Sequence, residues 1–217
     1  MAKSKKNNRM KSHFGKQTQV AGWELEPQEV VHQIRAKGKK VLTFFGYSGM
    51  GYQDEQRVLD LARKVLDRFP AEKTLVNIGA TAAGLGAVYV LAKEMGFETS
   101  GIVSTCALEY PGGFSRHVDT VYFVRDDIWG GCLVGSDQLS PTSEAMVKAS
   151  DYAVGIGGNE ISRDELLAAR QRGLPVIFFP ADMDHKKLRK KMGKGGQPGP
   201  EDFQGAAHQA FFPAASP

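Results

Sequence analysis

The sequence predicts an α/β fold, a three-layer Rossmann-like sandwich with a mostly parallel sheet. Three observations support this prediction. Short apolar, β-prone runs alternate with segments of helical periodicity through the middle of the chain. The strand runs carry apolar residues on both faces, which is typical of strands covered by helices on each side. Glycine-bearing loops at 78–86 and 156–162 each stand between a strand run and a helical run.

The predicted elements follow one another from residue 41. Strands are predicted at 41–45, 74–78, 99–103, 120–124, 152–156 and 175–179. Helices are predicted at about 54–69, from the first glycine loop to residue 95, from 140 to about 149 and from 162 to about 172. Pro70 ends the first helix, and Gly96 is placed as the C-terminal cap of the second. Ser140 followed by Pro141 is typical of a helix start.

Composition and charge predict one folded domain with basic ends. The chain has 217 residues, of which 41% are hydrophobic and 24% charged, as in soluble proteins with one substantial core. We predict a basic, disordered arm at 1–22, a single domain at 23–192 and a flexible tail at 193–217. The 28 bases and 24 acids are uneven, because residues 23–184 hold 16 bases and 22 acids. The basic ends are either solvated tails or arms that contact nucleic acid through its phosphates.

Several classes of protein are disfavoured. The longest uncharged stretch, 74–92, is interrupted by Asn77 and three glycines, so no membrane span is predicted. The basic N-terminus lacks the apolar core of a signal peptide, and a cytoplasmic location is the simplest prediction. Cys106 and Cys132 are the only cysteines and form no CxxC motif, which argues against a disulfide framework or a structural zinc site.

A parallel sheet binds ligands at the carboxyl ends of its strands, where four loops of this chain are expected to converge. These loops are 46–52, 79–84, 104–116 and 157–162. Their glycines allow a phosphate to approach backbone N–H groups at a helix start. The predicted ligand-binding residues are Gly46, Tyr47, Ser48, Gly79, Ala80, Thr81, Gly84, Arg116, Gly157, Gly158, Asn159 and Ser162.

Two common nucleotide motifs are incomplete or absent. Gly79, Thr81 and Gly84 occupy the three positions of a dinucleotide-binding GxGxxG, but the middle glycine is a threonine. The acid expected after the next strand is also missing, since Ser104 follows Val103. Ordinary NAD-dependent hydride transfer is therefore disfavoured. No Walker A sequence is present, which disfavours a P-loop ATPase.

The order of motifs resembles the SMF/DprA and LOG (SLOG) superfamily of Rossmann-like nucleotide-binding domains. The resemblance covers about residues 40–180 and lies in the segments 45–48, 77–87, 101–103 and 150–158. Relatives of LOG proteins bind nucleotides or NAD-related molecules, and some cleave the N-glycosidic bond of nucleoside monophosphates. The resemblance implies the same ligand class and a homodimer.

The chain departs from the catalytic members of that superfamily in its second glycine loop. Ile156 stands where the PGGxGTxxE motif has proline, and the residues after Gly158 lack the Gly-Thr pair. Thr142 and Ser143 lie near the position of an Arg-Lys pair. Ser162 and Glu165 match the loop threonine and the acid only with shifted spacing.

The candidate catalytic residues are Glu160 and Glu165. Glu160 lies within the loop itself. A carboxylate facing a bound ribose stabilises the positive charge that develops as a glycosidic bond breaks. For Glu165 the alternative is structural, because Ser162 and Glu165 form an S-x-x-E capping box, and we favour that role.

Three further features are less specific, and the first two keep two interpretations each. Arg116 and His117 either bind phosphate or lie in solvent. Trp129 either belongs to a lid that stacks on a base or packs in the core. Asp126 and Asp127 are a weak signal for Mg²⁺, and no cofactor is predicted to be required.

The sequence therefore favours a protein that binds a nucleotide or nucleotide-derived ligand such as NAD, ADP-ribose or a nucleoside monophosphate. The alternative is an N-glycosidic bond hydrolase acting on similar ligands. A weaker alternative is nucleic-acid binding through the basic tails.

Overall fold

The structure, a computed structural model, describes residues 14–194 and 202–213. Its strands are β1 (Gln19–Leu25), β2 (Lys40–Gly46), β3 (Thr74–Ile78), β4 (Glu98–Ser104), β5 (Thr120–Val124), β6 (Tyr152–Ile156) and β7 (Val176–Phe179). Its helices are α1 (Pro27–Arg35), α2 (Glu55–Leu66), α3 (Ala87–Glu94), α4 (Pro141–Ala149), α5 (Glu160–Gln171), α6 (His185–Lys194) and α7 (Ala206–Phe211).

All seven strands form one parallel sheet in the order β1-β5-β4-β3-β2-β6-β7. The predicted α/β sandwich is thus confirmed, and each of the six predicted strands is present. The chain runs outward from β2 through β3, β4 and β5, and β6 then lies on the other side of β2. This reversal leaves a crevice at the carboxyl ends of β2 and β6, where open parallel sheets bind ligands.

Helices cover both faces of the sheet because successive strand residues point to opposite sides. Leu42 and Phe44 pack with α2 and α3 in one apolar cluster. Val41 and Phe45, their neighbours in β2, pack with α1, α4 and α5 in a second cluster. The three layers explain why the inner strands carry apolar residues on both faces.

The folded domain begins earlier than the sequence predicts. We placed 1–22 in a basic arm, but β1 starts at Gln19 and pairs with β5 at the edge of the sheet. Phe14 is buried as well, with its ring centroid 4.7 Å from that of Phe114. The residues of β1 alternate between exposed and half-buried, so this edge strand lacks the apolar run that marks the inner strands. Residues 1–13 of the arm lie outside the described residues.

The predicted flexible tail contains a packed helix. Ala207 of α7 is fully buried against α5, and Phe211 stacks on Phe178 at 4.9 Å between ring centroids. Residues 195–201 and 214–217 of the tail lie outside the described residues. Within the described part of the chain, no helix has both the length and the apolar character needed to cross a membrane.

Candidate ligand-binding site

A pocket with a volume of about 370 Å³ lies at the carboxyl ends of β2, β3 and β4 and beside the loop after β6. Each of the four loops expected to converge here contributes to its lining. The predicted site residues that line it are Gly46, Ser48, Gly79, Thr81, Asn159, Ser162 and Glu165. The aromatic residues Phe44, Phe45, Phe114, Tyr110 and Trp129 line it as well.

Three predicted residues of the β2 and β6 loops are covered by the chain itself. Tyr47 is buried, and its hydroxyl accepts a hydrogen bond from the Gly205 N–H at 2.7 Å. The Gly158 carbonyl accepts one from the Ala207 N–H at 3.0 Å. Gly157 packs against the Tyr47 ring, since a Cβ there would lie 2.5 Å from Cε2. Gly158 therefore serves a close contact with the C-terminal segment and Gly157 one with the Tyr47 ring, and neither glycine lines the pocket.

Ala80 and Gly84 fix the conformation of the first glycine loop without lining the pocket. Ala80 has a φ of 55°, and among the described residues it is the only residue other than glycine with a positive φ. Its N–H donates to Tyr89 Oη at 3.2 Å, and its carbonyl accepts from Ser115 N–H at 2.9 Å. Gly84 has a φ of 57°, and a Cβ there would collide with the Ser48 carbonyl. Ala80 is therefore in a strained conformation, whereas Gly84 adopts its positive φ without strain, and neither residue lines the pocket.

Arg116 and Glu160 are exposed and do not line the pocket. Glu160 is the first residue of α5. Of the two candidate catalytic carboxyls, the structure thus brings only Glu165 to the site.

The predicted capping box at 162–165 is wrong, because α5 begins two residues earlier. Asn159 is the N-cap residue, and its side chain makes no capping hydrogen bond. Ser162 lies one turn into the helix, where its hydroxyl donates to the Gly46 carbonyl at 3.2 Å. Glu165 follows in the helix interior and is only 6% exposed. The start of α5 therefore presents N–H groups without a capping side chain beside the pocket.

Helix α4 also begins at the pocket but is fully capped. Asp126 Oδ2 accepts a hydrogen bond from Thr142 N–H at 2.9 Å, and Ser140 caps the same end. The hydroxyl Oγ1 of Thr142, a lining residue, has no hydrogen-bond partner among the described residues. The sequence did not predict the capping role of Asp126, since the aspartate lies sixteen residues before its partner.

Glu165 is oriented by a short hydrogen-bond relay. The Gly131 N–H donates to Ser143 Oγ at 2.7 Å, and that hydroxyl donates to Glu165 Oε1 at 2.6 Å. Burial raises the pKa of the Glu165 carboxyl to about 7; the Ser143 hydrogen bond lowers it in part and nearby Asp164 raises it further. This carboxyl consequently changes its charge near neutral pH.

Trp129 lies at the rim of the pocket, so the prediction of a tryptophan packed in the core is wrong. Its side chain is 51% exposed, and its ring centroid is 5.6 Å from that of Tyr110. The Trp129 side chain stays outside the core because Gly130 and Gly131, which follow it, have positive φ values and turn the chain past Ser143. The two aromatic rings offer an apolar surface on which a flat group can stack.

Positive and metal-binding side chains are scarce at this site. No lysine, arginine or histidine lines the pocket among the described residues, and Glu165 is its one carboxyl group. Asp126 uses its two oxygens as acceptors for the N–H groups of Ile128 and Thr142. In the described part of the chain, no three His, Cys, Asp or Glu side chains stand close enough together to hold a metal ion. For Cys132, burial and nearby Asp164 raise the pKa of the thiol.

No protein-family model and no curated protein sequence matches this chain. Among solved structures, a molybdenum cofactor carrier protein from Chlamydomonas reinhardtii is 17% identical, with a TM-score of 0.46 over 64% of this chain and 76% of that one. The structural genomics target TM1055 is 21% identical, with a TM-score of 0.44 over 63% of this chain and 72% of that one. A second structure described as the Moco carrier protein from Chlamydomonas reinhardtii is 15% identical, covers 73% of this chain and 85% of that one, and also has a TM-score of 0.44. At these values, neither the ligand nor the activity of those proteins transfers to this chain.

Proposed function

We propose that this protein binds a nucleotide or nucleotide-derived ligand, of the NAD, ADP-ribose or nucleoside monophosphate type, at the carboxyl ends of its strands. One observation carries the proposal: glycine-bearing loops and an uncapped helix start meet at a single aromatic-lined pocket beside the sheet's reversal point. Apolar walls with a few polar groups are typical of sites for such ligands.

The phosphate of the ligand binds at the start of α5. The first N–H groups of a helix carry partial positive charge and have no partner within the helix. Asn159 and Ser162 line the pocket there, and no side chain caps this end. Thr81, which also lines the pocket, adds a hydroxyl from the first glycine loop. Since no described basic side chain lines the pocket, these backbone groups are the positive end of the site.

The alternative function, hydrolysis of an N-glycosidic bond, is favoured by the position of Glu165. Its carboxyl lines the pocket with a pKa of about 7, which suits a group that gives or takes a proton at neutral pH. In this reaction the bond between the base nitrogen and ribose C1′ breaks, water supplies a hydroxyl to C1′, and the base leaves with a proton. Glu165 supplies that proton or stabilises the positive charge on the sugar.

A thermal-shift experiment with product analysis tests both functions. The wild-type protein is heated with AMP, ATP, NAD, NADP, ADP-ribose or a cyclic dinucleotide, and each sample is then analysed by mass spectrometry. A ligand at about 100 times its dissociation constant adds about 2.7 kcal/mol of stability. A raised midpoint with intact ligand supports binding alone, and released base supports the hydrolase. Unchanged midpoints and intact compounds across the panel would contradict both.

A pair of glycine variants locates the binding. A Cβ at Gly79 would meet only the Ile102 carbonyl, 4.0 Å away, so Gly79→Val places its side chain in the pocket without disturbing the fold. Gly112→Val is the matched control, because a Cβ there meets nothing within 4 Å and the residue does not line the pocket. We expect Gly79→Val to abolish the thermal shift and Gly112→Val to retain it.

The weaker alternative, nucleic-acid binding, is favoured by the exposed basic residues of α6. Its cationic side chains in solvent are Lys186, Lys187, Arg189, Lys190 and Lys191. Neutralised phosphates release counterions, so this function requires DNA or RNA binding that weakens steeply with salt. Binding that does not respond to salt would exclude it.

The remaining predictions concern assembly and location. We propose a cytoplasmic homodimer that requires no cofactor, with Mg²⁺ at Asp126 and Asp127 as a weaker option. Light scattering tests the dimer, since a monomer has a mass of 23.6 kDa. Calorimetry with Mg²⁺ tests the metal.

A further inference from the structure

The pocket has two chemically different ends, because two helices start beside it. At α4 the Thr142 N–H donates to Asp126 at 2.9 Å, and the Ser143 N–H donates to Ser140 Oγ at 3.5 Å. Glu165 lines the pocket at this end, Asp126 caps the start of α4 without lining the pocket, and both carboxyl groups are buried. A phosphate here would find its N–H donors already bonded and would be repelled by the carboxylates.

This end nevertheless has unused capacity for hydrogen bonds. Thr142 is only 4% exposed, and its Oγ1 lacks a partner within the described part of the chain. A hydroxyl buried without a hydrogen bond destabilises a protein. Since Thr142 lines the pocket, a ligand that fills the pocket is in a position to provide the missing partner.

Glu165 adds a second free group beside Thr142. Its Oε1 accepts from Ser143 Oγ, whereas Oε2 has no hydrogen bond to any described residue. Glu165 is 6% exposed and lines the pocket, so a ligand that fills the pocket can reach its carboxyl group. A protonated carboxyl donates from such an oxygen, and a hydroxyl both donates and accepts.

Trp129 belongs to the same corner of the pocket. The next residue, Gly130, runs directly beside the relay, since a Cβ on it would lie 2.9 Å from Ser143 Oγ and 3.8 Å from Glu165 Oε1. The half-exposed tryptophan thus lines the same pocket as the two free polar groups, and its backbone neighbour lies beside their relay.

We propose that the α4 end of the pocket binds an uncharged planar group with a hydrogen-bond donor and an acceptor on one edge, such as a nucleobase or a carboxamide. Thr142 and Glu165 bond its edge, and Trp129 contacts its face. The inference rests on the proposed nucleotide-type ligand and fixes its orientation: the phosphate lies at α5 and the uncharged ring at α4.

The test compares matched variants with uncharged and charged probes. Isothermal titration is performed with nicotinamide, adenosine, guanosine and uridine and with AMP, GMP and UMP. Thr142→Val removes the hydroxyl at constant shape, and Thr142→Ser retains it. Glu165→Leu removes both oxygens, and Glu165→Gln retains one donor and one acceptor. Thermal melting of each variant verifies the fold.

We expect the probe that binds wild type to bind about 3- to 10-fold more weakly to Thr142→Val and to Glu165→Leu. Thr142→Ser and Glu165→Gln should stay within about threefold of wild type. The ratio of nucleotide to nucleoside affinity should be the same in all variants, because the phosphate lies at the other end.

The outcomes separate the inference from the proposed function. Nucleotide binding that Thr142→Val and Glu165→Leu leave unchanged would overturn the inference and leave the function in place. A second outcome is that nucleosides or nicotinamide bind, that the variants weaken this binding, and that a phosphate does not increase the affinity. This outcome would support the inference and overturn the phosphate site. A folded protein that binds none of the probes would overturn the inference, and the thermal-shift panel with NAD and ADP-ribose would then decide the proposed function.

Discussion

Helices α4 and α5 both begin at the same pocket, yet their first turns are built differently. Ser140 and Asp126 cap α4, whereas Asn159 makes no capping bond at α5. The glycines before α5 leave little side chain near its N–H groups, and buried carboxyl groups surround the start of α4. The difference shows how one pocket can attract an anion at one end and exclude it from the other.

The largest expected effect concerns the Glu165 carboxyl and its pH dependence. The pKa of this carboxyl is raised from the ordinary 4.5 to about 7. The contribution of the neutral carboxyl to the free energy of unfolding is therefore fully present below pH 4.5 and is lost as the pH rises through 7. We expect the wild type to lose on the order of 3 kcal/mol relative to Glu165→Gln across this window.

Urea unfolding of both proteins from pH about 4 to about 8 measures this difference. Glu165→Gln keeps the acceptor for Ser143 and cannot ionise, so it is the appropriate reference. Curves that remain parallel across the window would show that Glu165 ionises as readily as an exposed carboxyl.

The next effect concerns the cap of α4. Asp126→Ala leaves the N–H groups of Thr142 and Ile128 without an acceptor, and we expect a loss of about 1–3 kcal/mol in the free energy of unfolding. Asp127→Ala is the control, because Asp127 is exposed, and it should change stability by less than about 0.5 kcal/mol. Equal losses of unfolding free energy in the two variants would show that Asp126 does not cap α4, and the contrast between the starts of α4 and α5 would then be wrong.

The smallest effect is expected at α5. Asn159→Ala removes no capping hydrogen bond and should change the free energy of unfolding by less than about 0.5 kcal/mol. The measurement is the same urea titration at one pH. A loss as large as that in Asp126→Ala would mean that Asn159 caps α5 in solution, which would close the proposed phosphate site.

The sequence predicted the central fold well because inner strands and their turns carry local signals. The apolar runs of β2 to β6 and the proline after α2 are visible without any tertiary information. The edge strand β1 carries no such run, because half of its residues face solvent. Its assignment depends on pairing with β5, almost one hundred residues away.

The candidate site was predicted less evenly than the fold. The loops were placed correctly because strands and helices alternate regularly along the chain. A glycine in such a loop, however, either lines a pocket or allows a close contact between chain segments, and the sequence does not distinguish the two. Gly158 contacts the C-terminal segment and Gly157 packs against the Tyr47 ring, and no local pattern reveals either contact. The capping-box prediction was wrong for a similar reason: the S-x-x-E spacing is satisfied, but α5 begins at Glu160, and Glu165 points into the pocket.

The most direct test of the two-ended pocket is a comparison of AMP with adenosine in proton–nitrogen correlation spectra of the labelled protein. Shifts that appear with AMP and not with adenosine report on the phosphate. The account predicts these at the amides of residues 158–162, and it predicts shifts common to both ligands at Thr142, Ser143 and the Trp129 indole. Phosphate-dependent shifts at residues 142–144, or none around the pocket, would contradict it.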